Sequence, residues 1–318
     1  MSNNTLTAVE GLRVGHAEDR RAGTGCTVVL LDPMVDVACE ARGGYPTTYD
    51  THGIDVAKRF VKRHAIFLAG GDVYGLDSPI GIRKYLLERG IVSMRAGGQM
   101  PLIVGATIYD MWRADISDVN YGDLAYEACL KASTDPVSEG SVGGGIGGTV
   151  GGFAGHANGS KGGTGSFAIQ LFENAYVGAL VITNSMGNIR DPDTGKTLAG
   201  AKDPRGGFVE FDQVLEQYVR RPLSKENTTI GVVGTNVELN HEELVKVCQM
   251  AHDGLAMAIR PTHTTGDGDT IFAVSTAKLT LREEERPRLL DAIGYLSARA
   301  VAVSIARSVR FSNKGSQL

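Results

Sequence analysis

The sequence predicts a layered α/β (α+β) domain. Three observations predict it: short β-branched, apolar runs of strand length, apolar residues at helical spacing between them, and a hydrophobic content of 42% over 318 residues. That length serves one large domain or two modest ones and can bury a sizeable core. No internal repeat divides it, so residues 1–318 read as a single domain.

Taken in order, residues 27–31 and 65–69 are buried strands by their unbroken apolar character. Residues 50–63, 78–89 and 121–132 carry apolar side chains at helical spacing and read as helices. Of the 42 glycines, many fall in 140–166, a density that weakens helix and strand alike. Val142, Ile146, Val150 and Phe153 recur through that run, which therefore reads as an ordered, function-bearing loop or a set of short connections and not as a flexible tether. Residues 167–172 and 176–182 form a hairpin around Glu173-Asn174-Ala175, and 229–234 is a buried strand. The turn-rich stretch 191–207 reads as surface loop, and 220–226, which contains Pro222, as an exposed polar loop. Asn240 caps a helix over 240–258, with Glu242 and Glu243 at its positive end. Residues 271–275 are a strand and 286–309 a long helix. Pattern alone leaves the strand order open.

Composition narrows the function. The net charge is -4 and the sequence pI about 6.0, and basic residues cluster only in pairs such as Lys58-Arg59 and Lys62-Arg63, so nucleic acid is not expected as a partner. Cys26, Cys39, Cys129 and Cys248 are scattered and read as reduced, mostly buried thiols. Residues 1–10 lack a basic segment followed by an apolar one, and no run of about 18 apolar residues occurs, so neither export nor a membrane is expected and the protein is placed in the cytoplasm.

Late in the chain, the run Glu226-Asn227-Thr228-Thr229-Ile230-Gly231-Val232-Val233 sets a small polar pair directly before a β-branched segment. A threonine freed as a new N-terminus holds a hydroxyl nucleophile and an α-amino base in one residue, and such an amine has a pKa of about 8. One cut between Asn227 and Thr228 would make an enzyme. The same residues also fit a loop closed by Asn227 and a strand opened by Thr228. Asp267 and Asp269 stand two apart, so an extended segment points both carboxylates to one side, where they can orient a hydroxyl or ammonium and hold their pKa values apart; a tight Asp-Gly turn is the alternative. Gly195-Lys196-Thr197 is not a phosphate loop, because Arg190 stands where its first glycine belongs. His263 beside the two aspartates has no second histidine at ligand spacing, so no metal is expected.

Several blocks carry a family resemblance: Gly11-Leu12-Arg13-Val14-Gly15-His16, Leu68-Ala69-Gly70-Gly71-Asp72-Val73-Tyr74-Gly75-Leu76, Ile108-Tyr109-Asp110, Ala179-Leu180-Val181-Ile182-Thr183-Asn184, Asn227-Thr228-Thr229-Ile230, Thr235-Asn236-Val237 and Gly266-Asp267-Gly268-Asp269-Thr270-Ile271-Phe272-Ala273. In this order, over nearly the whole chain, they resemble the self-cleaving S58 peptidases, which include DmpA-type aminopeptidases, β-aminopeptidases and nylon-oligomer hydrolases. The Asp-Gly-Asp motif is most similar to the nylon-oligomer branch.

The resemblance implies a four-layer αββα sandwich with the nucleophile at the start of a central strand, and one catalytic domain cut into 1–227 and 228–318. It makes Thr228 the nucleophile, Asn227 the new C-terminus, Asp267 and Asp269 the orienting acids, and Asn184 and Tyr109 the groups that polarise the carbonyl. Gly70, Gly71, Tyr74 and Gly75, with Gly144 and Gly145, would shape the substrate cleft. In one respect the pattern departs: Gly152 stands where nylon-type relatives carry a lysine, and Lys161 is the lysine available instead. The implied substrate is a small linear amide or oligoamide, from 6-aminohexanoate oligomers to β-amino or ordinary peptides, with no cofactor, in a homo-oligomer of four or more chains. The rivals are an acyltransferase similar to the ornithine acetyltransferases and a glycine-rich binding protein that stays uncut.

Overall fold

A computed structural model describes residues 3–95, 97–112, 115–220, 227–280 and 282–314. In chain order its main elements are β1 Leu12–Asp19, β2 Thr24–Ala41, β3 Thr47–Tyr49, β4 Lys62–Ala69, α1 Ser78–Glu88, β5 Ile103–Thr107, α2 Tyr121–Lys131, β6 Gly163–Phe172, β7 Ala175–Asn184, α3 Phe211–Val219, β8 Thr228–Val237, α4 His241–Ala258, β9 Thr270–Leu279 and α5 Arg286–Ser312.

The long strand β2 organises the architecture. Its first half pairs antiparallel with β1 and β4, and its second half pairs antiparallel with β9. The register breaks between Leu30 and Val35, where Pro33 cannot donate to a ladder. One chain segment thus belongs to two sheets, ordered β1-β2-β4-β5-β3 and β6-β7-β8-β9-β2. Alternation along the strands then sorts side chains into three cores. Ile230 and Val232 of β8 meet Val29, Leu31, Ile66, Leu68 and Phe272 between the sheets. Val233 and Val237 face the other way, onto Val247 and Leu255 of α4 and Val301 and Ile305 of α5. Val28 and Leu30 of β2 lie under Ile82 and Leu86 of α1 and Ala125 of α2. Helices, sheet, sheet and helices form the expected four layers. Every residue of β8 is buried, so each Val or Ile there contributes about 1.5–3 kcal/mol of burial and holds the strand's start in place.

Helix α4 begins with the cap that Asn240 predicts, here a full capping box: its side chain accepts from Glu243 N at 2.9 Å, and Glu243 Oε2 accepts from Asn240 N at 2.8 Å. Glu243 also receives Arg286 Nε at 2.6 Å, tying the start of α5 to that of α4. Among the described residues α5 is the helix long and apolar enough to cross a membrane, but its apolar length packs on β6, β7 and α4. The approach to β6 is close: a Cβ on Gly165 would stand 2.0 Å from the Ser304 carbonyl oxygen.

Two expectations change, and one about the glycine-rich run holds. No helix spans 50–63; only Thr51–Ile54 makes a 3-10 turn, and β4 starts at Lys62. Ile54 and Val61 do reach the core, but not from one helical face: Val56 and Phe60 are exposed, and Asp50 turns left-handed (φ 54°) and pairs with the buried Arg63 at 2.7 Å. The stretch 191–207 is not all surface loop: Thr197–Ala199 is a strand paired with Asn188–Arg190, and Asp191, Ala199 and Ala201 are buried. The glycine-rich run is ordered as short 3-10 turns and the two-residue strands Thr149–Val150 and Ser160–Lys161. The expected loop at 220–226 falls, from 221 on, outside the described residues. All four cysteines are free thiols, three of them buried.

Candidate active site

Thr228 is the first residue of β8, between β7 and β9, and only 6% exposed. Its Oγ1 lies 2.5 Å from the carbonyl oxygen of Asn227, and Gly268 N–H donates to that same oxygen at 3.0 Å. The hydroxyl therefore sits against the carbonyl of the peptide bond it would attack, and a fixed backbone donor sits where negative charge would develop. Asn227 bridges to Asp267 in parallel fashion, which brings the 267–269 turn to the start of β8. Gly268 is required there, since a Cβ would stand 2.9 Å from Thr228 Oγ1 and 2.7 Å from Tyr45 O.

The two carboxylates beside Gly268 are both 1% exposed and differently held. Asp269 Oδ1 accepts Thr229 N at 2.7 Å; its Oδ2 accepts Thr262 Oγ1 at 3.0 Å, His263 N at 3.0 Å and His263 Nδ1 at 2.8 Å. Asp267 Oδ2 accepts Thr264 N and Oγ1, and its Oδ1 a longer bond of 3.4 Å from Met186 N. Burial, and after it the charge of Asp269, pushes the Asp267 carboxyl up to about 7. One acid of the pair thus keeps its proton to neutrality beside an acid held by four donors.

His263 is the residue the sequence reading undervalued. It was weighed only as a metal ligand, yet it stands at φ 55° with its ring on Asp269 and against His252, 4.9 Å between centroids. His252 Nε2 donates to Glu40 O at 2.9 Å, and burial brings its pKa down to about 4. A histidine in Thr-His-Thr-Thr, four and six residues before the paired aspartates, was the available signal. Among the described residues no group of three or more His, Cys, Asp or Glu is arranged to hold a metal ion.

Asn184 is fully buried and is the cross-strand partner of Thr228. Its Oδ1 accepts Thr149 N at 2.9 Å and Thr149 Oγ1 at 3.2 Å, and its Nδ2 donates to the Tyr109 carbonyl at 3.0 Å. It links β7 to the glycine-rich run and, through the Tyr109 carbonyl, to the segment after β5.

A model of peptidase family S58 matches residues 4–315. The chain belongs to peptidase family S58. It is 37% identical to an uncharacterized aminopeptidase of Mycobacterium leprae, over 86% of this chain and 78% of that protein. It is also 29% identical to a 6-aminohexanoate-oligomer endohydrolase of Agromyces sp. (strain KY5R), over 85% of this chain and 74% of that protein. The fold is similar to that of the L-aminopeptidase D-Ala-esterase/amidase of Ochrobactrum anthropi, described as a variant of the Ntn hydrolase fold, with a TM-score of 0.70, 20% identity and coverage of 96% and 85%. As an S58 member, the chain is a hydrolase of the aminopeptidase and oligoamide-hydrolase kind, consistent with amide hydrolysis by an N-terminal nucleophile.

The remaining S58 motif residues divide. Gly70, Gly71 and Gly75 are buried and serve close packing: Asp110 Oδ1 accepts Gly71 N at 2.7 Å, and a Cβ on Gly70 or Gly71 would collide with Asp110 or Tyr121. Gly144 and Gly145 are likewise buried, against the Leu68 carbonyl and Thr164. Tyr74 is exposed. The open wall near the site comes from neighbours of these residues, a cleft of about 420 Å³ bounded by Tyr45, Pro46, Thr47, Asp72, Val73 and Leu76. Lys161 is exposed; its carbonyl accepts Asn313 Nδ2, and among the described residues its ammonium makes no hydrogen bond or ion pair.

Proposed function

We propose that this S58 chain cleaves itself between Asn227 and Thr228, and that Thr228 at the head of the 228–318 fragment then hydrolyses linear amides. The observation that carries the reading is the shared oxygen: Asn227 O is 2.5 Å from the Thr228 hydroxyl and 3.0 Å from the Gly268 amide nitrogen. In the first step Oγ1 bonds to the Asn227 carbonyl carbon, the C–N bond breaks, and the Thr228 nitrogen gains a proton. Asp267, protonated to about pH 7, supplies it and recovers one from Oγ1. Water then opens the Asn227–Thr228 ester, leaving a carboxylate on Asn227 and a free hydroxyl and α-amine on Thr228.

In turnover the α-amine takes the Oγ1 proton as the oxygen attacks the substrate carbonyl. The departing amine receives a proton, and water hydrolyses the Thr228 ester. Gly268 N–H stabilises the oxyanion in both reactions, and a single such donor is worth about 3 kcal/mol. Asp269 and Asn184 position the strand that carries Thr228. The substrate is an amide or oligoamide, as the names of the relatives suggest, and water rather than ornithine is the acyl acceptor. Four free thiols support a cytoplasmic setting, and a homo-oligomer is inferred from the family alone.

The test is a denaturing gel with intact mass on freshly purified wild type and Thr228→Ala. Scaling 33.7 kDa by length gives fragments of roughly 24 and 10 kDa for a cut that frees the latent nucleophile. Wild type that splits there while the variant stays whole supports the reading. Wild type that remains whole after prolonged incubation removes it and favours the binding-protein rival.

A further inference from the structure

Thr228 has one nucleophilic oxygen, and the amide of Gly268 points at one place. An acyl group attacked by Thr228 must therefore set its carbonyl where the Asn227 carbonyl stands in the whole chain. It follows that Asn227 occupies the acyl site before cleavage and must vacate it for a substrate to enter. Its side chain is then an imprint of the pocket that receives the substituent next to the substrate carbonyl.

That pocket is narrow and rigid. Asn227 is 1% exposed, and among the described residues neither its Oδ1 nor its Nδ2 has a hydrogen-bond partner. Gly152 forms the wall: a Cβ there would stand 2.1 Å from Asn227 Oδ1 and 3.0 Å from Cγ. The wall is anchored, since Gly152 N donates to Ser185 O at 3.3 Å and Phe153 N to Met186 O at 3.2 Å, with Phe153 buried against Met186 and Ala201. Behind it, a Cβ on Gly151 would meet Ala201 N at 2.1 Å, so the segment has no room to retreat. Gly152 does not have a positive φ, so alanine there is hindered by space and not by backbone strain.

We propose that Gly152 is the specificity-determining wall of an acyl subsite, vacated by Asn227, that takes amides of L-α-amino acids with a short branched apolar side chain such as leucine. The L hand follows from Asn227 itself. The size follows from the space its side chain fills, which leucine matches in shape, and the apolar preference from its two unpaired amide atoms, which an apolar group of that shape would not leave buried. An unsubstituted acyl chain such as 6-aminohexanoyl would leave the pocket empty. The inference rests on the self-cleavage reading above and chooses among its substrates.

The experiment compares wild type, Gly152→Ala, Asn227→Gly and the double variant. Self-cleavage is followed on gels after a rapid purification, and hydrolysis of L-leucyl and 6-aminohexanoyl para-nitroanilides is then measured on the cleaved proteins. Gly152→Ala should slow self-cleavage by about tenfold or more, and adding Asn227→Gly should restore the rate to within about threefold of Asn227→Gly alone. On the double variant, kcat/KM for the leucyl anilide should fall by about tenfold relative to Asn227→Gly, and that for the 6-aminohexanoyl anilide by less than about twofold. If Gly152→Ala does not fold alone, the anilide comparison on the double variant decides. Equal loss on both anilides, or preference of wild type for the 6-aminohexanoyl anilide, overturns the inference while self-cleavage stands. A wild type that never cleaves removes the functional reading and the subsite together.

Discussion

Asp269→Asn separates the two acids of the site. In the native chain four donors converge on the Asp269 carboxylate. An asparagine keeps one acceptor, enough for Thr229 N, but turns its amide NH2 toward Thr262 Oγ1, His263 N and His263 Nδ1. Three donors lose a charged acceptor, and at about 1.5–3 kcal/mol for each such bond, partly recovered by rotation and solvent, the cost is on the order of 5 kcal/mol. For a chain of this size that lowers the melting temperature by about 10 °C. Loss of the Asp269 charge also removes the second cause of the high Asp267 pKa, so the proton on Asp267 is given up at lower pH. Self-cleavage, followed by densitometry from pH 5 to 9, should decline in wild type above about pH 7, and in Asp269→Asn from a more acidic midpoint and at a lower rate. Melting is measured in the Thr228→Ala background so that no chain is cut. A variant that melts with its parent and keeps the midpoint near 7 would refute the roles given to the two acids.

Three further outcomes are expected. His263→Gly removes the Nδ1 donor while relieving the φ of 55°, and should slow self-cleavage by about tenfold or more, whereas His263→Asn, which tolerates that φ and can still donate, should recover part of the rate on the same gel. In Thr228→Ala, Asp267 binds its proton up to about 7 when folded against 3.8 ordinarily, so the folded chain holds more protons between those values; chemical denaturation should show stability falling as pH rises from 4 to 7, by on the order of 4 kcal/mol at most, with Asp267→Asn flattening the change. Lys161→Ala should leave the self-cleavage rate within about twofold, since the side chain is exposed and, among the described residues, unpaired.

Local chemistry was legible in the sequence where a residue's own neighbours decide its state. Asn240 announces the cap of α4, and the apolar run after Thr228 announces a buried strand. Residues 50–63 misled because helical spacing is local and does not say which side chains reach the core: Ile54 and Val61 do, from a 3-10 turn and an irregular segment, while Val56 and Phe60 stay exposed. The order of the sheets was hidden for the same reason: nothing local to residues 24–41 says that one strand serves both. The start of the 267–269 turn against Thr228 was legible only through the family resemblance. Contacts between distant segments were not legible at all, as with Gly152 against Asn227, where a glycine conspicuous for lacking a lysine proves to be where another side chain needs room.

The central claim is that Thr228, freed by cleavage, is the residue acylated in turnover. The direct measurement is intact mass, with peptide mapping, of protein quenched in acid during hydrolysis of a slow amide or ester substrate. The account predicts an added acyl mass on the 228–318 fragment, mapped to its first residue and absent from Thr228→Ala. Turnover with the acyl group on Thr229 or Lys161, or with none on the small fragment under conditions that trap esters, would contradict it.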